Sequence, residues 1–237
     1  MGGLPVQLTS FVGREAELAD AGALAARSRL VTLTGAGGCG KTRLAVELAD
    51  LVSRDHGATW FCDLTRATDP EMVQGVVAGS VGVEPAQLAQ RLRSRRCLLV
   101  LDNCEHVLEA AAGTATELLR ECADLRILAT SREALQVPGE VTMRVPALLE
   151  PEAVRLFVER AQLAQPRFEL TAETSSLVAE VCGHLDGIPL ALELAAAQLR
   201  GMSLDTLLIG LRDRFRLLVA RNADVPDRQR TLEAAVE

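Results

Sequence analysis

The sequence predicts an α/β fold, a parallel sheet with helices on both faces followed by a small all-helical subdomain. Three observations carry that reading. The β-branched apolar run Leu30 to Thr34 leads through a glycine-rich turn straight into a helical pattern at Thr42 to Ser53. Apolar runs of strand character then alternate with helical patterns as far as Met143. After Pro146 the strand patterns stop and helical ones follow one another.

Taken in order, residues 1 to 10 carry Gly2, Gly3 and Pro5 and read as a loose arm, followed by a short helix at Glu17 to Ala26. The helix at Thr42 to Ser53 places Leu44, Ala45, Leu48, Ala49 and Val52 on one stripe. Trp60 to Leu64 reads as a strand, and Pro70 to Val81 and Pro85 to Arg95 as helices. Cys97 to Leu101 is wholly apolar and ends in Asp102, the pattern of a central strand covered on both faces. A helix over Val107 to Cys122, a strand over Leu125 to Thr130 and a short strand near the sheet edge at Val141 to Met143 complete this part. The later helices are expected at Glu150 to Ala164, Ala172 to Leu185, Leu190 to Arg200 and Ser203 to Leu211, with mixed character beyond Phe215. The domain expectation is therefore 1–148 for the sheet domain, 149–218 for the helical subdomain, and 219–237 for a linker and the start of a further helix.

Composition narrows the function classes. Apolar residues at 49% and charged residues at 24% suit a globular chain of 237 residues with a substantial core. Aromatics at 3% leave few platforms for stacking bases, and a net charge of -7 argues against a main role in gripping a phosphate backbone. The basic tract Arg212, Arg214, Arg216, Arg221, Arg228 and Arg230 is diluted by Asp213, Asp224 and Asp227, so no direct DNA binding is expected. The six cysteines match neither a zinc knuckle nor a secreted disulfide framework and read as small buried hydrophobes. No run of 18 apolar residues and no secretory signal pattern occurs, so no membrane contact and a cytoplasmic location are expected.

The chemistry concentrates in Gly35-Ala36-Gly37-Gly38-Cys39-Gly40-Lys41-Thr42, which has the spacing of a P-loop. Small residues let successive backbone N–H groups surround a phosphate, and the following helix adds its positive end. Lys41, the only lysine, would reach the β- and γ-phosphates, and the Thr42 hydroxyl would hold Mg²⁺. Asp102, an acid at the end of a buried strand, stands where it can orient the same ion through water. Asn103 is no useful proton acceptor, so Glu105 is the nearest carboxylate able to polarise an attacking water, the alternative being a helix cap. Arg132, after the next strand, is placed to contact a γ-phosphate or to be a plain surface arginine. Candidate nucleotide contacts on the loop are Gly35, Gly37, Gly38, Cys39, Gly40, Lys41, Thr42 and Arg43; candidate catalytic groups are Lys41, Asp102, Glu105 and Arg132.

Five motifs in order extend this reading: Phe11 to Glu15, Leu33 to Ala45, Leu98 to His106, Ala129 to Glu133 and Gly187 to Ala196. Together they resemble the signal-transduction ATPases with numerous domains (STAND), in particular the NB-ARC-like domain of bacterial transcriptional regulators of the AfsR and LuxR-associated type. The resemblance implies that Val12, Gly13 and Arg14 lie beside adenine and ribose, with Arg14 touching phosphate in the active form. It also implies that Arg132 is a γ-phosphate sensor and that Pro189 packs on the adenine. In such proteins a winged-helix domain follows the helical one and helps to lock ADP in a resting state. Leu211 to Phe215 and Arg230 to Leu232 resemble the lead-in to that domain.

The expected function is an ATP- or ADP-binding, Mg²⁺-dependent conformational switch with slow hydrolysis, joined to further domains and open to nucleotide-dependent self-association. Two alternatives stand beside it, a nucleotide-dependent scaffold without turnover and a small-molecule kinase.

Overall fold

The computed structural model describes residues 3–53, 57–93 and 96–220, with side chains described up to Arg212. By its contacts the chain divides into two compact units, one of residues 1–35 and 41–145, the other of 36–40 and 146–237. The tip of the glycine-rich loop thus groups with the helical part of the chain.

The first unit opens with α1 (Glu15–Arg27), β1 (Leu30–Thr34) and α2 (Lys41–Ser53). β2 (Ala58–Asp63), α3 (Pro70–Val81), a 3₁₀ turn at Pro85–Gln87 and α4 (Leu88–Arg93) follow. β3 (Cys97–Asp102), a second 3₁₀ turn at Cys104–His106, α5 (Leu108–Glu121), β4 (Leu125–Ser131) and β5 (Glu140–Arg144) complete it. All five strands pair in parallel in the order β2-β3-β4-β1-β5. β3 is buried at every position, as expected of a strand covered on both sides. β5 lies at the edge and is half exposed.

Side-chain alternation distributes the sheet between its two faces. Leu99, Leu101, Ile127 and Ala129 join one core with Val73 and Val77 of α3, Leu92 of α4 and Ala111 and Ala115 of α5. On the other face, Leu98 and Leu128 line a cavity that Leu48 of α2 also borders. Asp69 caps α3, its side chain accepting the Met72 N–H at 2.8 Å, with Pro70 in the first turn.

Three helix expectations are corrected. The stretch from Pro85 begins as a 3₁₀ turn, held by Gln87 N–H on the Glu84 carbonyl at 2.9 Å, before α4 proper. The stretch expected from Val107 starts one residue later, because Val107 (φ -131°) interrupts it after the tight turn at Cys104–His106. The last helix runs on well past Leu211, to Ala220.

That second unit consists of α6 (Glu150–Ala164), α7 (Ala172–His184), α8 (Pro189–Gln198) and α9 (Leu204–Ala220) besides the loop tip. Leu204, Leu207, Leu208 and Leu211 bury one stripe of α9, and no Gly or Pro interrupts the chain between 211 and 220. α6 packs on α7 and α8, and α7 on α9. Between α7 and α8 the chain reverses at Gly187, whose φ of +64° favours glycine; a Cβ there would stand 2.3 Å from the Leu148 carbonyl oxygen. Close approach serves a bond, since Leu148 N–H donates to the Gly187 carbonyl at 2.9 Å. Residues 221–237, where the remainder of the linker and the further helix were expected, lie outside the described residues.

Candidate functional site

Parallel strands deliver their C-terminal ends to one rim of the sheet, where ligands of such folds bind. β1 ends there and passes into the glycine-rich loop, and β3 ends there in Asp102. Gly40 sits at φ +92°, so the loop turns where a side chain would be strained. The Lys41 ammonium is nearly buried and donates to the Gly35 carbonyl at 2.9 Å, curling back over its own loop.

The next residue joins the loop to β3. Thr42 Oγ1 donates to Asp102 Oδ1 at 2.7 Å, bridging a sequence separation of 60 residues. Thr130 Oγ1, from the end of β4, donates to the same oxygen at 2.6 Å and accepts the Asn103 N–H at 2.9 Å. Burial pushes the Asp102 carboxyl up, and the two hydroxyl donors partly offset this. One carboxylate oxygen is fully engaged, while Oδ2 has no protein donor among the described residues. A hydroxyl, an open carboxylate oxygen and an ammonium, all beside a helix N-terminus, are the donor set that Mg²⁺ and a polyphosphate require. The residues present fit that pair of ligands.

Glu105 lies in the 3₁₀ turn just beyond Asn103, which itself adopts the left-handed conformation at φ 64°. Its Oε1 stands 3.7 Å from Arg132 Nε, and its buried Oε2 has no hydrogen-bond partner among the described residues. Glu105 is the acid in the first turn of that 3₁₀ helix at Cys104–His106, and α5 begins three residues later. His106 Nε2 lies 2.9 Å from the Leu64 carbonyl and anchors the turn to the chain after β2.

Val12 and Arg14 are buried, and Arg14 Nη1 lies 3.3 Å from Glu17 Oε1. Gly13 and Arg14 both have positive φ, 69° and 66°, where the chain turns into α1. The Arg43 guanidinium bonds to Gln7, to the Thr9 carbonyl at 2.5 Å and pairs with Glu47 at 3.3 Å. Its side chain secures the N-terminal arm, which leaves its main chain to serve a ligand. In the second unit, Leu190 N–H donates to the Gly38 carbonyl at 3.2 Å, and Pro189 Cγ lies 3.8 Å from the position of a Cβ built on Gly40. Sequence reading missed Thr130. Its signal was available, a hydroxyl residue closing the strand beside the one that ends in Asp102. The six cysteines are free and buried, as read.

No family model matches the chain. A protein of Mycobacterium tuberculosis of uncharacterised role is 43% identical over 239 residues, covering 97% of this chain and 61% of the relative. A second protein of that organism, described as an HTH-type transcriptional regulator, is 44% identical over 223 residues, 91% of this chain and 25% of the relative. TMV resistance protein N of Nicotiana glutinosa is 29% identical over 201 residues, 74% of this chain and 17% of the relative. The chain thus spans 61% or less of the length of each of these relatives.

Among solved structures, the Walker-type ATPase of Pyrococcus abyssi superposes with a TM-score of 0.65 at 13% identity, covering 88% of this chain and 73% of that one. A signal-transduction ATPase with numerous domains and a tetratricopeptide repeat sensor, from Pyrococcus horikoshii, gives 0.60 at 17% identity, covering 89% and 33%. No helix of the described residues is long and apolar enough to cross a membrane. Sheet order, loop geometry and these superpositions agree that the chain has the P-loop NTPase fold, with a helical part following its parallel sheet.

Proposed function

We propose that this chain is the ATP- and ADP-binding core of a STAND-type regulator of transcription, of the AfsR and LuxR-associated kind, acting as a conformational switch with slow hydrolysis. The observation that carries the reading is the Thr42–Asp102 hydrogen bond beside the Lys41 ammonium, a metal- and phosphate-ready pair built from distant parts of the sequence. Thr42 and Asp102 would hold Mg²⁺, which when bound would supply positive charge to offset that of the phosphates. The loop amides and Lys41 would bind the phosphates, with Val12, Gly13 and Arg14 on the base and ribose side and Pro189 on the adenine.

Glu105 would polarise the attacking water and Arg132 would report the γ-phosphate. Their mutual contact supports a slow reaction, since each would have to leave the other before serving the nucleotide. Residues 1–148 would be the nucleotide-binding domain and 149–218 an ARC1-like subdomain. The loop contributes residues to both compact units, so a ligand that binds one arrangement of them better than another shifts the balance between arrangements. Similarity to a much longer HTH-type regulator supports the transcriptional setting. Further domains of a parent protein and a second copy of the chain are the partners this implies.

The test is calorimetry with Mg²⁺ on nucleotide-free protein, paired with scattering in ATP and in ADP. Expected are binding of both nucleotides, its loss in Lys41→Ala, and two distinct scattering profiles. Equal affinities with identical profiles would remove the switch. A second reading, a scaffold without turnover, is favoured by Asn103 following Asp102 and by the engaged Glu105. Phosphate release at the same level in wild type and Glu105→Gln would select it.

A further inference from the structure

We propose that the first unit carries a second ligand site, for a small amphipathic anion, at the end of the sheet opposite the glycine-rich loop. The proposal stands apart from the nucleotide reading. A cavity of about 440 Å³ opens between α1, α2 and the N-terminal halves of the central strands. Its walls include Gly22, Ala25 and Ala26 of α1, Leu48 and Leu51 of α2, and Leu128 of β4. The volume lies within the range of small-molecule sites, and walls of this kind hold hydrocarbon better than water.

The polar side of the cavity is cationic. Arg96 and Arg126 border it, and both also border an adjoining hollow of about 270 Å³ shared with Arg29 and Asp124. Three arginines and one aspartate thus line that hollow. Arg29 is committed to carbonyls between the end of α5 and the start of β4, bonding to Leu119 at 2.8 Å, to Cys122 at 2.5 Å and to Leu125 at 3.2 Å. Among the described residues Arg126 uses only its Nη1, on the carbonyls of Ala25 and Ser28. The Arg96 side chain is exposed and makes no hydrogen bond or ion pair among the described residues.

An apolar chamber opening onto guanidinium donors suits one chemical class, an anionic head on a short hydrocarbon tail. A bare inorganic anion would leave the chamber unfilled, and a neutral apolar molecule would leave the donors unused. A medium-chain carboxylate satisfies both.

Octanoate is the probe, with 1-octanol and inorganic phosphate as controls, followed by calorimetry at low and high salt. Expected is saturable uptake of one octanoate per chain, weakened about tenfold in Arg96→Ala and by added salt. Binding of 1-octanol should not respond to Arg96→Ala, and Ala26→Phe, placed at the exposed rim, should block both ligands with the circular dichroism spectrum unchanged. Octanoate binding should persist in Lys41→Ala, which separates this site from the nucleotide site. Absent saturation, equal octanoate affinity in Arg96→Ala, or equally tight binding of phosphate alone would each overturn the proposal.

Discussion

Glu105 and Arg132 face each other from the ends of adjacent strands, Oε1 to Nε 3.7 Å, with the glutamate four-fifths buried and the arginine half exposed. The pair holds a candidate base and a candidate phosphate sensor in mutual check. Freeing either one should be visible in turnover. Glu105→Gln is expected to lower phosphate release on the order of 100-fold while ATP affinity changes less than about threefold. Arg132→Ala should narrow the preference for ATP over ADP, read by competition calorimetry. Unchanged preference would assign Arg132 to the surface.

Thr130 is predicted to position Asp102. Its hydroxyl donates to the carboxylate and accepts the Asn103 N–H, at 1% exposure. Thr130→Val leaves both groups short of a partner and should cost about 1–3 kcal/mol of stability. Thr130→Ser should recover most of it. A purely structural role would leave the Mg²⁺ concentration needed for half-maximal ATP binding unchanged; a positioning role raises it severalfold in the valine variant only.

Gly187→Ala is expected to destabilise the helical unit. The new Cβ would meet the Leu148 carbonyl oxygen at 2.3 Å, in a backbone region unfavourable to alanine. A loss of about 2–3 kcal/mol and a fall in Tm on the order of 5–10 °C follow, measurable by calorimetry. An unaltered melting curve would show that the turn can relax.

Acid should weaken the α7–α9 contact. Arg212 beside Glu180 holds that carboxyl below its ordinary value, with His184 adding to the effect. A group whose folded-state value is depressed stabilises above the unfolded value and loses that contribution as pH falls through the folded one. Carboxyl NMR should find Glu180 titrating below the usual glutamate range, and Arg212→Ala should return it upward. No movement in the variant would discount the pair.

Much of this site was legible because its chemistry is local. Gly35 to Thr42 is one contiguous signal, and Asp102 ends a strand whose apolar run cannot be mistaken. The parallel sheet was legible in strands alternating with helices, and the last strand was read as a short one near the edge, but the strand order was not read. What escaped depends on geometry across strands. Thr130 is an ordinary threonine until β4 is paired beside β3, and nothing in the sequence announces that the Arg43 guanidinium ties down Gln7 and Thr9. Helix ends failed for a related reason: the break at Val107 is a backbone turn that no residue type announces.

The sheet order has a consequence for how the chain is made. β1 emerges first from the ribosome yet lies between β4 and β5, which emerge last. At about 5–20 residues per second, roughly 5–20 s pass before either neighbour exists. Through that interval Leu30, Val31 and Leu33 have no hydrogen-bonded partner to join, and unpaired apolar strands are sticky. A nascent chain halted before Ser131 could already have paired β2 with β3 while its founding strand was still adrift.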